Sequence, residues 1–215
     1  MELWQSVVLG VIEGLTEYLP VSSTGHLVVA QRMMGIGQGV DKEAADAFAV
    51  CIQGGAIVAV LGLYVARVKQ MIMGLLGRDS AGLQLLGRLV VAFLPAMVAA
   101  LLLSSIIKQH LFGIVPIIAA WLVGGVAILW FSARRRDANR EAGVDLFQMT
   151  WRMAAVIGLL QCVAMWPGTS RSLMTICAGL LVGLKVSDAV EFSFLLGLLT
   201  LGCLLYTSPS PRDRG

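Results

Sequence analysis

The stretch that decides the fold is residues 10–27, GVIEGLTEYLPVSSTGHL, which sets two carboxylates, a row of hydroxyls and a histidine inside an otherwise apolar chain. Glu13 and Glu17 are four residues apart and share one face of a helix, where like charges repel unless a cation, a proton or a ligand lies between them. Pro20 ends that helix, because proline lacks the N–H that helical hydrogen bonding needs. The stretch predicts a helix that stops beside a polar turn.

The hydroxyl residues after the proline predict the start of a second helix. Ser22, Ser23 and Thr24 are residue types that cap helix N-termini. The free N–H groups and the positive dipole end of such a helix bind anions. We therefore expect a phosphate-binding turn facing the two carboxylates.

The composition is that of an integral membrane protein. The 215 residues are 58% hydrophobic and 13% charged, with a mean hydropathy of +0.84, whereas about a quarter of the residues of a soluble domain are charged. Several apolar runs approach the roughly 20 residues that a helix needs to cross a bilayer, namely 48–66, 87–107, 113–132, 151–166 and 189–206. Shorter runs broken by polar clusters, at 3–20, 26–36 and 171–184, predict re-entrant helical hairpins. The predicted fold is an all-α polytopic membrane protein.

The charge distribution bears on partners and on orientation. The net charge is only +3 and the basic residues cluster in predicted loops, so nucleic acid is not an expected partner. The Arg-rich connections 67–88 and 134–140 are expected in the cytoplasm by the positive-inside rule. Counting helices back from the first connection places the polar cluster of residues 13–26 in the outer half of the membrane.

Two segments of the chain are built alike. LPVSST at 19–24 and WPGTSR at 166–171 both set a proline after an apolar run and hydroxyls directly after it. We predict one transmembrane domain over 1–206 made of inverted repeats, about 1–107 and about 113–206, whose polar turns meet at a shared site. Residues 207–215, TSPSPRDRG, break with the apolar chain and are expected to be a non-native tail.

The motif EGLTEYLPVSSTGH at 13–26, followed by PGTSRS at 167–172, resembles the bacterial undecaprenyl-diphosphate phosphatases, also known as bacitracin resistance phosphatases. The likeness extends over about residues 3–205. It implies hydrolysis of undecaprenyl diphosphate to the monophosphate that carries cell-wall precursors. It also implies a multi-pass protein of the bacterial inner membrane with its site facing the periplasmic or outer side. Family members continue through further helices after the equivalent of Tyr206, so the chain is expected to be shortened.

The resemblance also implies the roles of individual residues. The family's catalytic positions fall on Glu13, Glu17, Ser23, His26 and Arg171. Arg171 offers a planar fork for phosphate oxygens. Glu13 and Glu17 are expected to ligate Mg²⁺ or Ca²⁺, which prefer oxygen ligands, with a protonated glutamic acid as the alternative.

The nucleophile stays open at this stage. Ser23 could attack with His26 as its base, since the two are three residues apart at the start of a helix. Alternatively, His26 attacks or activates water while Ser23 only holds phosphate. Further substrate contacts are expected from Ser22, Thr24, Gln53, Gly168, Thr169, Ser170, Ser172 and Thr175. Glu191 is the counterpart of Gln53 in the second repeat, and Gly124-Gly125 is expected to pack helices together.

A rival function comes from another class of protein. Inverted repeats with broken helices also describe carriers, so a polyprenyl-phosphate flippase or an anion transporter would share these features. A carrier needs to bind phosphate but needs no nucleophile and base beside it, and this favours the phosphatase. A homodimer is a further expectation.

Overall fold

The computed structural model describes residues 2–36, 42–110, 114–134 and 143–207. Of the predicted tail, all but Thr207 lies outside the described residues. The α-helices in this part of the chain are α1 (Leu3–Tyr18), α2 (Ser23–Met33), α3 (Lys42–Leu63), α4 (Val65–Leu75), α5 (Ser80–His110), α6 (Ile114–Arg134), α7 (Trp151–Gln161), α8 (Arg171–Leu181) and α9 (Val186–Thr207). Short 3-10 turns occur at Leu146–Gln148 and Cys162–Met165. The prediction of an all-α fold is confirmed.

Helix length and composition mark the segments able to cross a bilayer. Within the described residues, Ser80–Leu103 of α5 and Val186–Cys203 of α9 are long and apolar enough. A third span results if Ala47–Leu63 and Val65–Leu75, which meet at a bend of 81°, are counted as one broken segment. Large apolar side chains of α6 are exposed, for example Leu122 at 68% and Leu129 at 71%. Apolar surface of this kind is typical of helices that face lipid.

Two breaks interrupt the helices, at the positions where the sequence predicts polar turns. Between α1 and α2, Leu19 is extended and Ser22 has a φ of +67°, an uncommon value for a residue other than glycine. Between α7 and α8, the chain passes through the 3-10 turn and Gly168, whose φ is +91°. The helices that follow, α2 and α8, have 11 residues each. At about 1.5 Å per residue they are too short to cross a bilayer, as expected of re-entrant segments.

Two packed groups of helices hold these breaks. The larger core forms where α5 packs against α4 and α7, and where α9 packs against α8; it includes Leu85, Leu89, Met149, Ile157, Phe192 and Leu196. A smaller core joins α1, α2 and α3 through Leu9, Leu27, Ile36 and Ala45. The first break is therefore fixed by one group and the second by the other.

The placement of Arg88 corrects the sequence analysis, which assigned it to a cytoplasmic connection. Arg88 lies within α5 and is only 6% exposed. Its guanidinium donates a 3.1 Å hydrogen bond to the carbonyl of Phe147 and lies 5.9 Å from the ring centre of Trp151. These partners from the α6–α7 connection stabilise the buried charge. Of the second Arg-rich connection, residues 135–140 lie outside the described residues.

Candidate active site

The two breaks contact each other although they are far apart in the sequence. Arg171, the first residue of α8, donates from Nη2 to Oε1 of Glu17 near the end of α1, at 2.7 Å. Ser172 donates from Oγ to the carbonyl oxygen of Leu19, at 3.5 Å. The first pair is an ion pair whose side chains are 20% and 14% exposed, respectively. The structure thus brings both predicted polar turns to one place.

Glu17 joins two of the other predicted catalytic residues. Its Oε1 accepts from Arg171, and its Oε2 accepts from the Ser23 hydroxyl at 2.6 Å. Arg171 also donates to the carbonyl of Ser193 at 3.4 Å and lies directly against Gly197. Hydrogen bonds to ionised groups are short and strong, particularly where water is partly excluded. We refer to Glu17, Ser23 and Arg171 as the Glu17 cluster.

The first turn of α2 orients His26. Ser22 is the N-cap, and its hydroxyl accepts from the backbone N–H of Gly25 at 3.4 Å. Nδ1 of His26 lies 2.9 Å from the carbonyl oxygen of Ser22. A carbonyl oxygen only accepts, so Nδ1 carries the hydrogen. In a neutral imidazole this leaves the lone pair on Nε2.

The hydrogen-bond partner of Ser23 differs from the expected one. The sequence suggested that the Ser23 hydroxyl would pair with His26, but it donates to Glu17, while the imidazole turns back to Ser22. The reason is that Glu17 approaches Ser23 from α1, a helix that packs against α2. Thr24 is exposed, in contrast to the buried Ser22 and Ser23.

Glu13 differs from the other predicted catalytic residues in its hydrogen bonding. It is 1% exposed, and neither carboxylate oxygen has a hydrogen-bond partner among the described residues. Gln53, on α3, likewise has a buried Oε1 without a partner there. Glu13 lies one turn before Glu17, so the two carboxylates suit a hard divalent cation. Since the described residues contain no group of three or more His, Cys, Asp or Glu side chains for a metal, phosphate oxygens and water would have to complete the coordination.

The start of α8 resembles the start of α2 in chemistry. Ser170 is the N-cap, and its hydroxyl accepts from the backbone N–H of Leu173 at 3.2 Å. The hydroxyls of Ser170 and Ser172 are 3.0 Å apart. Both side chains are buried. Ser170 thus caps α8, a role that the sequence analysis did not assign to it, and it also lines the cavity described below.

Thr175, Gly168 and Thr169 contribute in different ways. Thr175 Oγ1 lies 2.6 Å from the hydroxyl of the fully buried Ser193, so it connects α8 to α9, and its phosphate contact stays a prediction. A β-carbon at Gly168 would lie 2.9 Å from the Cα of Ile117. Glycine is therefore needed here both for its positive φ and for this close approach to α6. Thr169 is half-buried in the same turn.

A cavity of about 220 Å³ opens where the two turns face α6. Its lining includes His26 and Ser170 together with Trp121, Gly124 and Leu173. The sequence analysis missed Trp121 and expected the Gly124-Gly125 pair only to pack helices. The absence of side chains at these glycines leaves the space, with Leu173 as a wall 3.4 Å from the place of a β-carbon at Gly124.

Glu191 does not belong to this site, although the sequence suggested it as a counterpart of Gln53. It forms an ion pair with Nε of Arg67 at 2.5 Å. The same guanidinium lies over the ring of Phe147 at 4.8 Å. The pair joins α9 to α4 and is a structural link between helices.

Comparison with known proteins identifies relatives over almost the whole chain. The family described as bacitracin resistance protein BacA matches residues 6–209. Undecaprenyl-diphosphatase 2 of Rhodospirillum rubrum is 45% identical over 199 residues, which are 93% of this chain and 70% of the relative. The undecaprenyl-diphosphatases of Sorangium cellulosum and Pseudomonas putida are 43% and 42% identical, over 93% and 99% of this chain and 64% and 76% of their own lengths. The chain belongs to the bacitracin resistance protein BacA family.

Proposed function

We propose that this membrane protein hydrolyses undecaprenyl diphosphate to undecaprenyl phosphate and inorganic phosphate, which recycles the lipid carrier for cell-wall synthesis. The observation that carries the proposal is the Glu17 cluster, in which one carboxylate holds both a phosphate-binding arginine and a hydroxyl at the start of a helix. The names of the relatives support the same activity.

The site is suited to binding the diphosphate head. The N-termini of α2 and α8 present backbone N–H groups and positive dipole ends. Arg171 provides the cationic fork, and Glu17 holds that fork in place until phosphate oxygens compete for it. The exposed apolar helices let the prenyl tail remain in lipid while the head enters between the turns.

His26 is the group best placed to start the reaction. Its Nε2 carries a lone pair and its ring lines the cavity. This nitrogen, or a water that it deprotonates, forms the new bond to the terminal phosphorus, while the bond to the bridging oxygen breaks and prenyl monophosphate leaves. Where the nitrogen itself attacks, a water molecule then breaks the N–P bond, which releases inorganic phosphate and restores the imidazole. Ser23, held by Glu17, then serves to position phosphate rather than to attack it.

Glu13 and Glu17 would hold Mg²⁺ or Ca²⁺ together with phosphate oxygens. When bound, such a cation neutralises phosphate charge. The buried and unpartnered carboxylate of Glu13 supports this assignment. Glu13→Gln is expected to raise the Mg²⁺ concentration required for half-maximal phosphate release, and Mn²⁺ binding followed by electron paramagnetic resonance gives a readout independent of turnover. Unchanged Mn²⁺ binding in this variant would rule out Glu13 as a ligand.

We place the protein in the bacterial inner membrane with the site open to the periplasmic or outer side. Labelling of Thr24→Cys in a cysteine-free chain by a membrane-impermeant maleimide tests this, because Thr24 is exposed near the site. Labelling only when the reagent is added on the cytoplasmic side would show that the site faces the cytoplasm. Cross-linking in the membrane tests the expected homodimer.

The deciding experiment measures phosphate release from undecaprenyl diphosphate in detergent. Arg171→Ala and His26→Gln are expected to abolish release, and Thr24→Ala, which changes an exposed hydroxyl of the same turn, to retain it. A trapped phosphoenzyme that is acid-labile would identify His26 as the nucleophile, whereas an acid-stable one would point to Ser23. Lipid binding without any release by the unmodified protein would favour a flippase or anion transporter instead.

A further inference from the structure

Trp121 lies at the boundary between the cavity and the first turn of α2. Its ring centroid is 4.9 Å from that of His26, with the two planes tilted by 34°. A β-carbon on Gly25 would lie 2.7 Å from the indole Nε1 and from Cζ2. The indole N–H edge is therefore seated on the backbone one residue before His26.

The indole nitrogen has an unusual hydrogen-bonding state. Nε1 of Trp121 is buried and has no hydrogen-bond partner among the described residues. By contrast, Nε1 of Trp166 donates to the carbonyl of Pro116 at 3.1 Å. An indole N–H only donates, and a buried donor without an acceptor costs about 1–3 kcal/mol. Trp121 therefore carries a donor for which the described part of the chain supplies no acceptor.

We propose that Trp121 is a phosphate-binding residue, whose indole N–H donates to an oxygen of the phosphate group that reacts beside His26. The cavity that both residues line has room for such a group. The indole N–H is an uncharged donor that bonds to a phosphate oxygen directly. This contact therefore does not require Arg171 to leave Glu17. The indole ring, tilted by 34° to the imidazole, also packs against His26 beside the same cavity. The inference rests on the proposed function for the identity of the reacting group.

Two substitutions separate the donor from the ring. Trp121→Phe keeps an aromatic face for His26 but removes the N–H, and Trp121→Leu removes both. Loss of one hydrogen bond to a charged group predicts a decrease of about ten- to hundredfold in kcat/KM for Trp121→Phe. Trp130→Phe is the control, because Trp130 lies on the same helix and is 46% exposed. It is expected to leave kcat/KM unchanged, and its Tm shows the effect of replacing an indole on this helix away from the cavity.

A binding measurement keeps the test independent of turnover and of variant folding. In the unmodified protein labelled with ¹⁵N-tryptophan, the indole signal of Trp121 is expected to move downfield on addition of farnesyl methylenediphosphonate, a head group that cannot be hydrolysed. A separate titration with inorganic phosphate distinguishes a lipid head group from free phosphate. The signal of Trp130 is expected to stay in place.

The outcomes are distinct for the two proposals. An indole signal unmoved by both probes, or a Trp121→Phe variant within twofold of Trp130→Phe, would overturn the donor role. Loss of activity only in Trp121→Leu would leave the ring as packing for His26 and would also overturn it. A shifted indole signal in a protein that releases no phosphate would support Trp121 as a phosphate ligand while refuting the phosphatase.

Discussion

Replacing Gly197 with alanine tests the Glu17 cluster by moving Arg171 without removing any charge. A β-carbon at this position of α9 would lie 2.7 Å from Nη1 and 2.9 Å from Nη2 of Arg171. Ordinary contacts begin at 3.4 Å, so the guanidinium must move by about 0.7 Å. The displaced group is the end of a flexible side chain, and the helix backbone can therefore stay where it is.

The size of the effect follows from this displacement. A misplacement of about 1 Å at a reacting centre can cost about a hundredfold in rate, and a hydrogen bond to a charged group contributes about 1.5–3 kcal/mol. At about 1.4 kcal/mol per factor of ten, we expect kcat/KM for phosphate release to fall about ten- to hundredfold. Thermal stability should change little, because the preference of about 0.5–1 kcal/mol for alanine over glycine inside a helix offsets part of the weakened contact between Arg171 and Glu17.

Gly202→Ala is the matched control for this substitution. Gly202 lies on the same helix, and a β-carbon there meets nothing within 4 Å. Both variants and the unmodified protein are compared by phosphate release in detergent and by Tm. The reasoning is refuted if Gly197→Ala retains kcat/KM within twofold of Gly202→Ala. A Tm well below that of the control would show that the added methyl group displaces helices rather than the guanidinium.

Three further predictions concern neighbouring residues. Glu17→Gln should lower phosphate release by at least about a hundredfold, since Ser23 and Arg171 lose a shared charged partner; near-normal release would contradict the role of the carboxylate. Ser22→Ala should lower the free energy of unfolding by about 1 kcal/mol, and Ser22→Gly by only about a few tenths, because glycine tolerates the φ of +67° and is itself a fair N-cap. Equal melting temperatures for the two variants would argue against the capping role of Ser22. Glu191→Gln, which removes the ion-pair partner of Arg67, should lower Tm and keep the KM for the lipid within twofold; a raised KM would show that this ion pair contributes to lipid binding.

Local signals explain how much of the fold and of the site the sequence predicts. Pro20 and the hydroxyls after it act on their own backbone, so the end of α1 and the N-cap at Ser22 can be inferred without any tertiary contact. The second break after Pro167 can be inferred in the same way, whereas the cap at Ser170 was found only in the structure. The exposure of Thr24 could not be inferred, because three adjacent hydroxyls look equivalent until a neighbouring helix covers two of them.

The errors of the sequence analysis share a physical cause. The locations of Arg88 and Glu191 were predicted from their positions in the sequence. A buried charge, however, is stabilised by the group that packs against it in the fold. For Arg88 this group is the carbonyl of Phe147, and for Glu191 it is Arg67. Trp121 had no signal of its own, since a tryptophan in an apolar run is ordinary in a membrane helix. Its position becomes informative only when α6 is found against the first turn of α2.

The sequence by itself determined an all-helical membrane protein, the two broken helices, and the residue types able to bind and attack a diphosphate, because composition, proline and capping act locally. Only the tertiary structure decided how these residues are paired: that Glu17 holds Ser23 and Arg171, that His26 turns its Nδ1 to Ser22, and that Trp121 lines the cavity. Hydrogen-bond partners depend on which helix faces come together, and that depends on the packing of the whole chain.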